Sequence, residues 1–449
     1  MGERIMEKFI TDEIQDAAIK DLGKLVGVAS YNEPAEPNAP FGKGPKAALD
    51  KVLEIIGNLG FKTYEDPDGY YGYADIGEGD ETFGIVGHVD EVPAGNLEAW
   101  DVEPYQLTEK DGKLYGRGTQ DDKGPTIAAI YAVKSILDKG YKLNKKIRVI
   151  FGTDEEILWR CLAEYNKKED PIDLGIAPDA EFPLIYAEKG LQQSHLFGPG
   201  STELNIDLEN AFNAVPGKAI YNGPKQDEVM AALKAHNFEA DQTADGIEVH
   251  GHSVHAMNAP EGTNAVVRLG IALADVYPDI KVLQFLKDFG EDANATNLLG
   301  DISDDVSGKL TFNISSLKIT PEESKMQIDM RIPVKIDHDE LIQKVSDAVA
   351  KYDMRYENFD YVAPLYVPTD STLVKTLMQT YQDLTGDTKS QPAISGGATF
   401  ARTMHNCVAF GGMLPTTPDF MHQANENWSK ADMRKAMEIF AEAIYRLCF

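Results

Sequence analysis

Apolar and polar positions along the chain fall into two textures. In the first, helical periods alternate with apolar strands. "PKAALDKVLEIIGNLG" (45–60) repeats its apolar residues at helical spacing, opens on Pro45 and closes on Gly60, and so predicts a helix. "FKTYED", "YYGYADIG" and "TFGIVGHVD" predict strands, and "PTIAAIYAVKSILDKG" (125–140) predicts a second helix with a glycine stop. "KKIRVIFGTDEE" (145–156) is an apolar strand that ends in acids, and "DLGIAPDAEFPLIYAEKG" (173–190) is another such strand and turn. This alternation predicts an α/β domain with a mixed, largely parallel central sheet.

From about residue 196 the texture changes. "STELNIDLEN", "GIEVHGHSVHA", "GKLTFNISSLKIT" and "KMQIDMRIPV" read as strands, with helices at "DEVMAALKAHN", "NAVVRLGIALADVYP" and "HDELIQKVSDAVAKYD". That mixture predicts an α+β unit. From about 370, helix "STLVKTLMQTYQDLTG", strand "CVAFGG" and a last helix, "KADMRKAMEIFAEAIYRL" after Ser429 as N-cap, return to the first texture. The organisation expected is one α/β domain, 1–195 and 371–449, split by an inserted α+β domain, 196–370.

Composition narrows the partners. A formal charge of −30 over 449 residues argues against nucleic acid and anionic membranes. Three widely spaced cysteines make no disulfide framework and fit a reducing, cytoplasmic setting. The first twenty residues carry scattered acids and no apolar core, so no signal peptide is expected, and no run is long enough for a membrane helix.

The chemistry collects where strands end. In open α/β sheets, ligands bind beyond the carboxyl ends of the strands. His88 and Asp90 follow one strand and Asp121 and Asp122 lie in "GRGTQDDKGP". Asp154, Glu155 and Glu156 end "FGTDEE", Asp179 and Glu181 lie in "PDAEFP", and His422 lies in "DFMHQANE". Each alone is ordinary: a core histidine, a helix cap, a solvated turn. Together, so many acids would repel one another unless cations sat among them. Two histidines and several carboxylates without cysteine suit zinc, manganese or cobalt. Phosphate-loop, dinucleotide and Gly-x-Ser-x-Gly signatures fail on inspection.

The ordered set "GHVDEVP", "LYGRGTQDDKGP", "GTDEE", "PDAEFP", "GHSVHAMNAPEGTNA", "DMRIPV" and "SGGATFARTMHNCVAFGG…MHQANE" resembles the dinuclear-zinc metallopeptidases that include carboxypeptidase G, aminoacylase and succinyl-diaminopimelate desuccinylase. Within them the PepV-type dipeptidases (Xaa-His dipeptidases, carnosinase-like) are most similar, over nearly the whole chain. The resemblance implies that His88, Asp121 and Asp179 hold one metal and that Asp121, Glu156 and His422 hold the other. It implies Asp90 as the carboxylate that orients the His88 ring and Glu155 as the general base, moving a proton from water to the leaving amine. It also implies a cis peptide at Asp121-Asp122. The insert would be a lid, with the catalytic domain in two parts around it. His255 would stabilise the oxyanion, Asn213 and Arg331 would bind substrate, and the amides of Gly396 and Gly397 would surround its carboxylate. Asp179, rather than Glu, at the fourth metal acid favours the dipeptidase branch, with Glu181 as the rival ligand.

The function expected is a metal-dependent dipeptidase for small unblocked dipeptides. It would use two divalent ions, zinc foremost with manganese or cobalt as alternatives, and act as a monomer rather than a dimer. The alternatives are an N-acyl amino acid deacylase or desuccinylase, and a catalytically silent binding protein.

Overall fold

The computed structural model describes residues 8–449. They form two compact units. One holds the chain up to Tyr186, with Tyr366–Ala393 and Thr399–Phe449; the other holds Ala187–Leu365 with Ile394–Ala398.

The first unit is built on a mixed sheet. Its strands include β1 (Lys62–Glu65), β2 (Tyr71–Ile76), β3 (Thr82–His88), β4 (Lys146–Gly152) and β5 (Leu174–Ala177). β3 lies between β4 and β5 and runs parallel to both. Strand Cys407–Ala409 continues the parallel array beyond β5, while β2 and β1 add antiparallel strands beyond β4. Every residue of β3 is buried, which is why it reads as an unbroken apolar run rather than an alternation. Helices α1 (Asp12–Val26), α2 (Lys43–Asn58), α3 (Lys123–Asp138) and α4 (Arg160–Lys168) flank it, with Thr372–Thr385 and Lys430–Cys448 at the end of the chain. Ser429 caps the last helix as predicted, its Oγ accepting from the Asp432 N–H at 2.9 Å.

Register places the chemistry. His88 ends β3 directly beside Gly152, which ends β4. Gly87 faces the other way, toward α3. A Cβ there would lie 2.1 Å from Thr126 Oγ1 and 2.9 Å from Asp122 Oδ2. Glycine therefore lets the start of α3 come down onto the sheet, bringing Asp121 and Asp122 with it. Gly87→Ala should destabilise the protein by about 1–3 kcal/mol through overpacking and weaken metal binding as well; urea unfolding and metal titration check the two effects.

The second unit carries an antiparallel sheet of β6 (Gly190–Pro199), β7 (Ile206–Leu208), β8 (Thr311–Ile319), β9 (Glu323–Ile332) and β10 (Arg355–Val362), in the order β7-β8-β9-β6-β10. Helices α5 (Gln226–Ala235), α6 (Ala265–Val276), α7 (Lys281–Phe289) and α8 (His338–Ala350) belong to the same unit. Its core joins Leu269, Leu273, Phe285 and Leu286 with Ile314, Ile328, Met330 and Val345. The unit begins before residue 196 because β6 forms part of the middle of its sheet. It also takes in Ile394–Ala398, a stretch the sequence pattern assigns to the C-terminal part. There Lys189 N–H donates to the Ser395 carbonyl at 3.0 Å, and Arg331 Nη1 donates to the Gly396 carbonyl at 2.8 Å.

"GIEVHGHSVHA" departs from the single strand its pattern predicts. The strand ends at His250, and a 3₁₀ turn follows at Ala256–Glu261. At Gly251 a Cβ would sit 2.2 Å from the Thr263 carbonyl oxygen, so the chain passes too close there to carry a side chain. Among the described residues no helix is long and apolar enough to cross a membrane.

Candidate active site

The carboxyl end of the central sheet in the first unit gathers the predicted acids and histidines. His88 is fully buried, and its Nε2 lies 2.9 Å from Asp121 Oδ1 and 3.7 Å from Asp179 Oδ2. The other oxygen of Asp121, Oδ2, lies 2.9 Å from His422 Nε2, which is also 3.2 Å from Glu156 Oε2. One buried carboxylate thus stands between two imidazoles. Glu155 joins the group: ligand atoms of His88, Glu155 and Asp179 lie within 4.8 Å of one another, as do those of His88, Asp121 and Glu156. His422 reaches the group from a left-handed backbone position (φ 61°) and is exposed. The Asp121-Asp122 peptide is cis.

Electrostatics in this cluster run against ordinary values. Burial pushes Glu155 well above the usual carboxylate range; His88 opposes this, and the charges of Glu156 and Asp121 add to it. Burial and the Asp121 charge do the same to Asp179. Burial opposes ionisation of Asp121 as well, but hydrogen bonds from His422 and His88 outweigh it and hold that carboxyl low. His422 is pushed up to about 10 by its bonds to Asp121 and Glu156. Nearby cationic side chains are engaged by other acids: Arg117 by Glu426 (2.8 Å), Lys123 by Glu91 (2.6 Å) and Arg160 by Asp154 (2.7 Å). Buried oxygens Glu156 Oε1, Asp90 Oδ1 and Asp122 Oδ1 have no hydrogen-bond partner among the described residues. Buried polar atoms are seldom left so. An oxygen-rich cluster with two imidazoles and orphaned carboxylate oxygens fits divalent cations.

Asp90 differs from its expected part. The His88 Nδ1 contact at 3.0 Å is to the backbone carbonyl of Asp90, and the carboxylate stands farther off at 3.5 Å. That carboxylate instead accepts from the Glu156 N–H at 3.1 Å, so it holds the turn bearing Glu155 and Glu156. Asp122 occupies the N-cap position of α3 but makes no capping bond. Its Oδ2 accepts from the His88 N–H (3.2 Å) and from Thr126 Oγ1 (2.8 Å), tying the strand to the helix. Glu181 is exposed and lies outside the cluster.

Sequence reasoning missed Glu426. It is fully buried and accepts from the N–H groups of Gly118, Gln120 and Asp121 at 3.0, 2.7 and 3.3 Å, besides Arg117. It fixes the loop that delivers Asp121. Its only sequence signal is its place four residues after His422 in the quoted motif. Glu426→Ala should cost about 3–5 kcal/mol, because Arg117 would stay buried without its partner. A lower urea midpoint at unchanged slope would show this.

Residues expected to bind substrate gather in the second unit. Arg331 is buried, with Nε 2.8 Å from Asp329 Oδ1, Nη2 3.3 Å from Asp329 Oδ2, and Nη1 on the Gly396 carbonyl. The Gly397 N–H donates to Ser395 Oγ at 2.9 Å. Asn213 and His255 are exposed; the Asn213 carbonyl accepts from the Ala256 N–H at 2.8 Å, and His255 Nδ1 accepts from the Met257 N–H at 3.2 Å. Burial, then the Arg331 charge, lowers the His255 pKa. The neighbouring His250 is taken up by Asp241 at 2.9 Å.

Comparison with known proteins gives the family. The pattern of peptidase family M20/M25/M40 matches residues 84–446, and the chain belongs to that family. It is 34% identical over 455 residues to "Putative dipeptidase YtjP" of Bacillus subtilis (strain 168), covering 96% of each chain. Among solved structures, human carnosine dipeptidase 1 matches with a TM-score of 0.56 at 18% identity, over 96% of both chains. The Bacillus subtilis YXEP protein, described as a dinuclear metal binding peptidase from M20 family, matches with a TM-score of 0.53 at 10% identity, over 96% of this chain and 99% of that one. At these identities the two structures show a shared fold.

Proposed function

We propose that the chain is a metal-dependent dipeptidase that hydrolyses the peptide bond of small unblocked dipeptides. The observation that carries this is the Asp121 carboxylate placed between His88 and His422, with Glu156 and Asp179 at its sides and Glu155 beside them. The family match and the dipeptidase names of its relatives support it. His88, Asp121 and Asp179 would hold one ion, and Asp121, Glu156 and His422 the other. The nitrogen and oxygen donors suit zinc first, with manganese or cobalt as alternatives. When bound, two such ions supply Lewis acidity toward the scissile carbonyl and make a nearby water acidic.

The chain's own groups do the rest. Glu155, in a half-buried and anion-rich setting, takes a proton from the attacking water and hands it to the leaving amine. The Asp90 carboxylate holds the Glu155–Glu156 turn through the Glu156 N–H, while its carbonyl fixes the His88 ring. The second unit acts as a lid. His255, with its low basicity, donates from a neutral ring to the developing oxyanion. Arg331, whose bonds to Asp329 and Gly396 use three of the five guanidinium donors, turns the remainder to the substrate carboxylate. Asn213 and the Gly396–Gly397 backbone would also bind the substrate. Three buried cysteines, none of them in a disulfide, support a cytoplasmic setting. We take the protein to act as a monomer, which its mass in solution checks.

Elemental analysis with a dipeptide panel tests the reading. About two divalent ions per chain are expected, with hydrolysis of free but not N-acetylated dipeptides. His422→Ala should lower metal content and turnover together. Preference for the acetylated substrates would make it a deacylase. Neither metal nor hydrolysis, after zinc, manganese or cobalt is supplied, would make it a silent binder.

A further inference from the structure

The turn that follows the Glu155–Glu156 pair exposes apolar side chains that nothing above uses. Ile157 is 53% exposed and Leu158 47%. Tight turns are usually built from glycine, asparagine, aspartate or serine, so two adjacent large aliphatics there are out of place. They cannot fold inward, because the turn is fixed on both sides. The Trp159 N–H donates to the Asp154 carbonyl at 2.8 Å, and the Asp154 carboxylate takes the Arg160 N–H at 3.0 Å and its guanidinium at 2.7 Å. On the entering side, the Asp90 carboxylate holds the Glu156 N–H. Trp159 then leaves the turn in the left-handed region (φ 59°) and packs its ring on Phe400 at 5.6 Å.

A third exposed aliphatic lies on the neighbouring loop. Leu97, 63% exposed, lies on the longer loop that follows β3, and β3 and β4 are parallel neighbours. Its loop is tied to the His422 segment: Asn425 Oδ1 accepts from the Asp101 N–H at 2.7 Å, and Asn425 Nδ2 donates to the Ala99 carbonyl at 3.0 Å. Single exposed hydrophobics need no explanation. Three of them, on two pinned loops leaving the same sheet edge as the acidic cluster, do.

We infer that Ile157 and Leu158, with Leu97 on the neighbouring loop, form an apolar rim that selects dipeptides carrying bulky aliphatic or aromatic side chains over small or acidic ones. This rests on the dipeptidase reading. The cluster itself is polar and reads only the peptide bond, so side-chain preference has to come from what borders it. The net charge of −30 works against acidic substrates in the same direction. Contact with an open rim yields modest discrimination, on the order of tenfold in kcat/KM.

The test compares Leu-Leu, Leu-Ala, Ala-Leu, Ala-Ala and Asp-Ala as substrates of the metal-loaded protein. Phosphinic analogues of Leu-Leu and Ala-Ala are compared by calorimetry. Leu-Leu should exceed Ala-Ala about tenfold in kcat/KM, with the analogues ranked alike. The double variant Ile157→Ser with Leu158→Ser should bring both ratios near one, while Ile157→Leu with Leu158→Ile keeps them. Hydrolysis without this preference, or a preference that survives the serine variant, overturns the rim and leaves the dipeptidase standing. No hydrolysis of any dipeptide overturns both.

Discussion

Replacing Glu155 by Gln should lower kcat by about 10²–10⁴-fold while metal content stays near that of the parent protein. The two carboxylate-level roles in "DEE" make this separation possible. Glu156 lies 3.2 Å from His422 and belongs to the proposed ligand set, whereas Glu155 groups with His88 and Asp179 and is proposed as the base. Glutamine keeps the shape and one acceptor oxygen but cannot carry a proton from water to amine. The measurement pairs steady-state turnover on a good dipeptide with elemental analysis of the same sample. Near-full turnover would remove Glu155 from the proton path. Parallel loss of metal and turnover would make it a ligand instead.

Asp121→Ala should have the opposite signature, with metal content and activity lost together. Both oxygens of Asp121 are in use, one toward each histidine, so its loss should disturb both proposed ligand sets. The same variant gives a thermal readout. A ligand that binds only the folded state stabilises it by about 4 kcal/mol at a thousandfold excess over Kd. The parent protein should therefore gain several degrees in Tm when zinc is added after chelation, and Asp121→Ala should gain little. An equal gain in both proteins would mean that Asp121 is not the residue the ions share.

What the sequence made legible follows from pattern strength. β3, β4 and β5 are buried on both faces, so their apolar runs mark where the sheet ends and where ligands can begin. His88, Glu155, Glu156 and Asp179 were readable from those ends, and Asp121 and His422 from their motifs. β10 was not, because "RYENFDYV" lies at the sheet edge with mostly exposed or half-exposed residues and no buried face to set an alternation. α7 escaped through its length alone: Val282, Leu283, Phe285, Leu286 and Phe289 recur at helical spacing, but over nine residues. α1 carries a readable stripe of Ala18, Leu22, Leu25 and Val26. Glu426 and the buried pair of Lys123 with Glu91 follow no period at all. Single polar residues that brace a loop from the far end of the chain leave no local trace. Asp90 shows a related gap: its position is plain in the sequence, but the division of labour between its carbonyl and its carboxylate is a matter of backbone course.

The short stretch Ile394–Ala398 bears on how such a chain could be recombined. It is separated from the rest of its unit by Tyr366–Ala393 and is returned to it through Arg331 and Lys189. An insert cut out at Ala187 and Leu365 and grafted into a relative would arrive with the Arg331 guanidinium missing one acceptor. The host would supply its own pentapeptide in that place. Exchange of this unit between relatives is therefore a two-segment operation, and the residues of the small segment must travel with the large one for the chimera to keep its arginine in place.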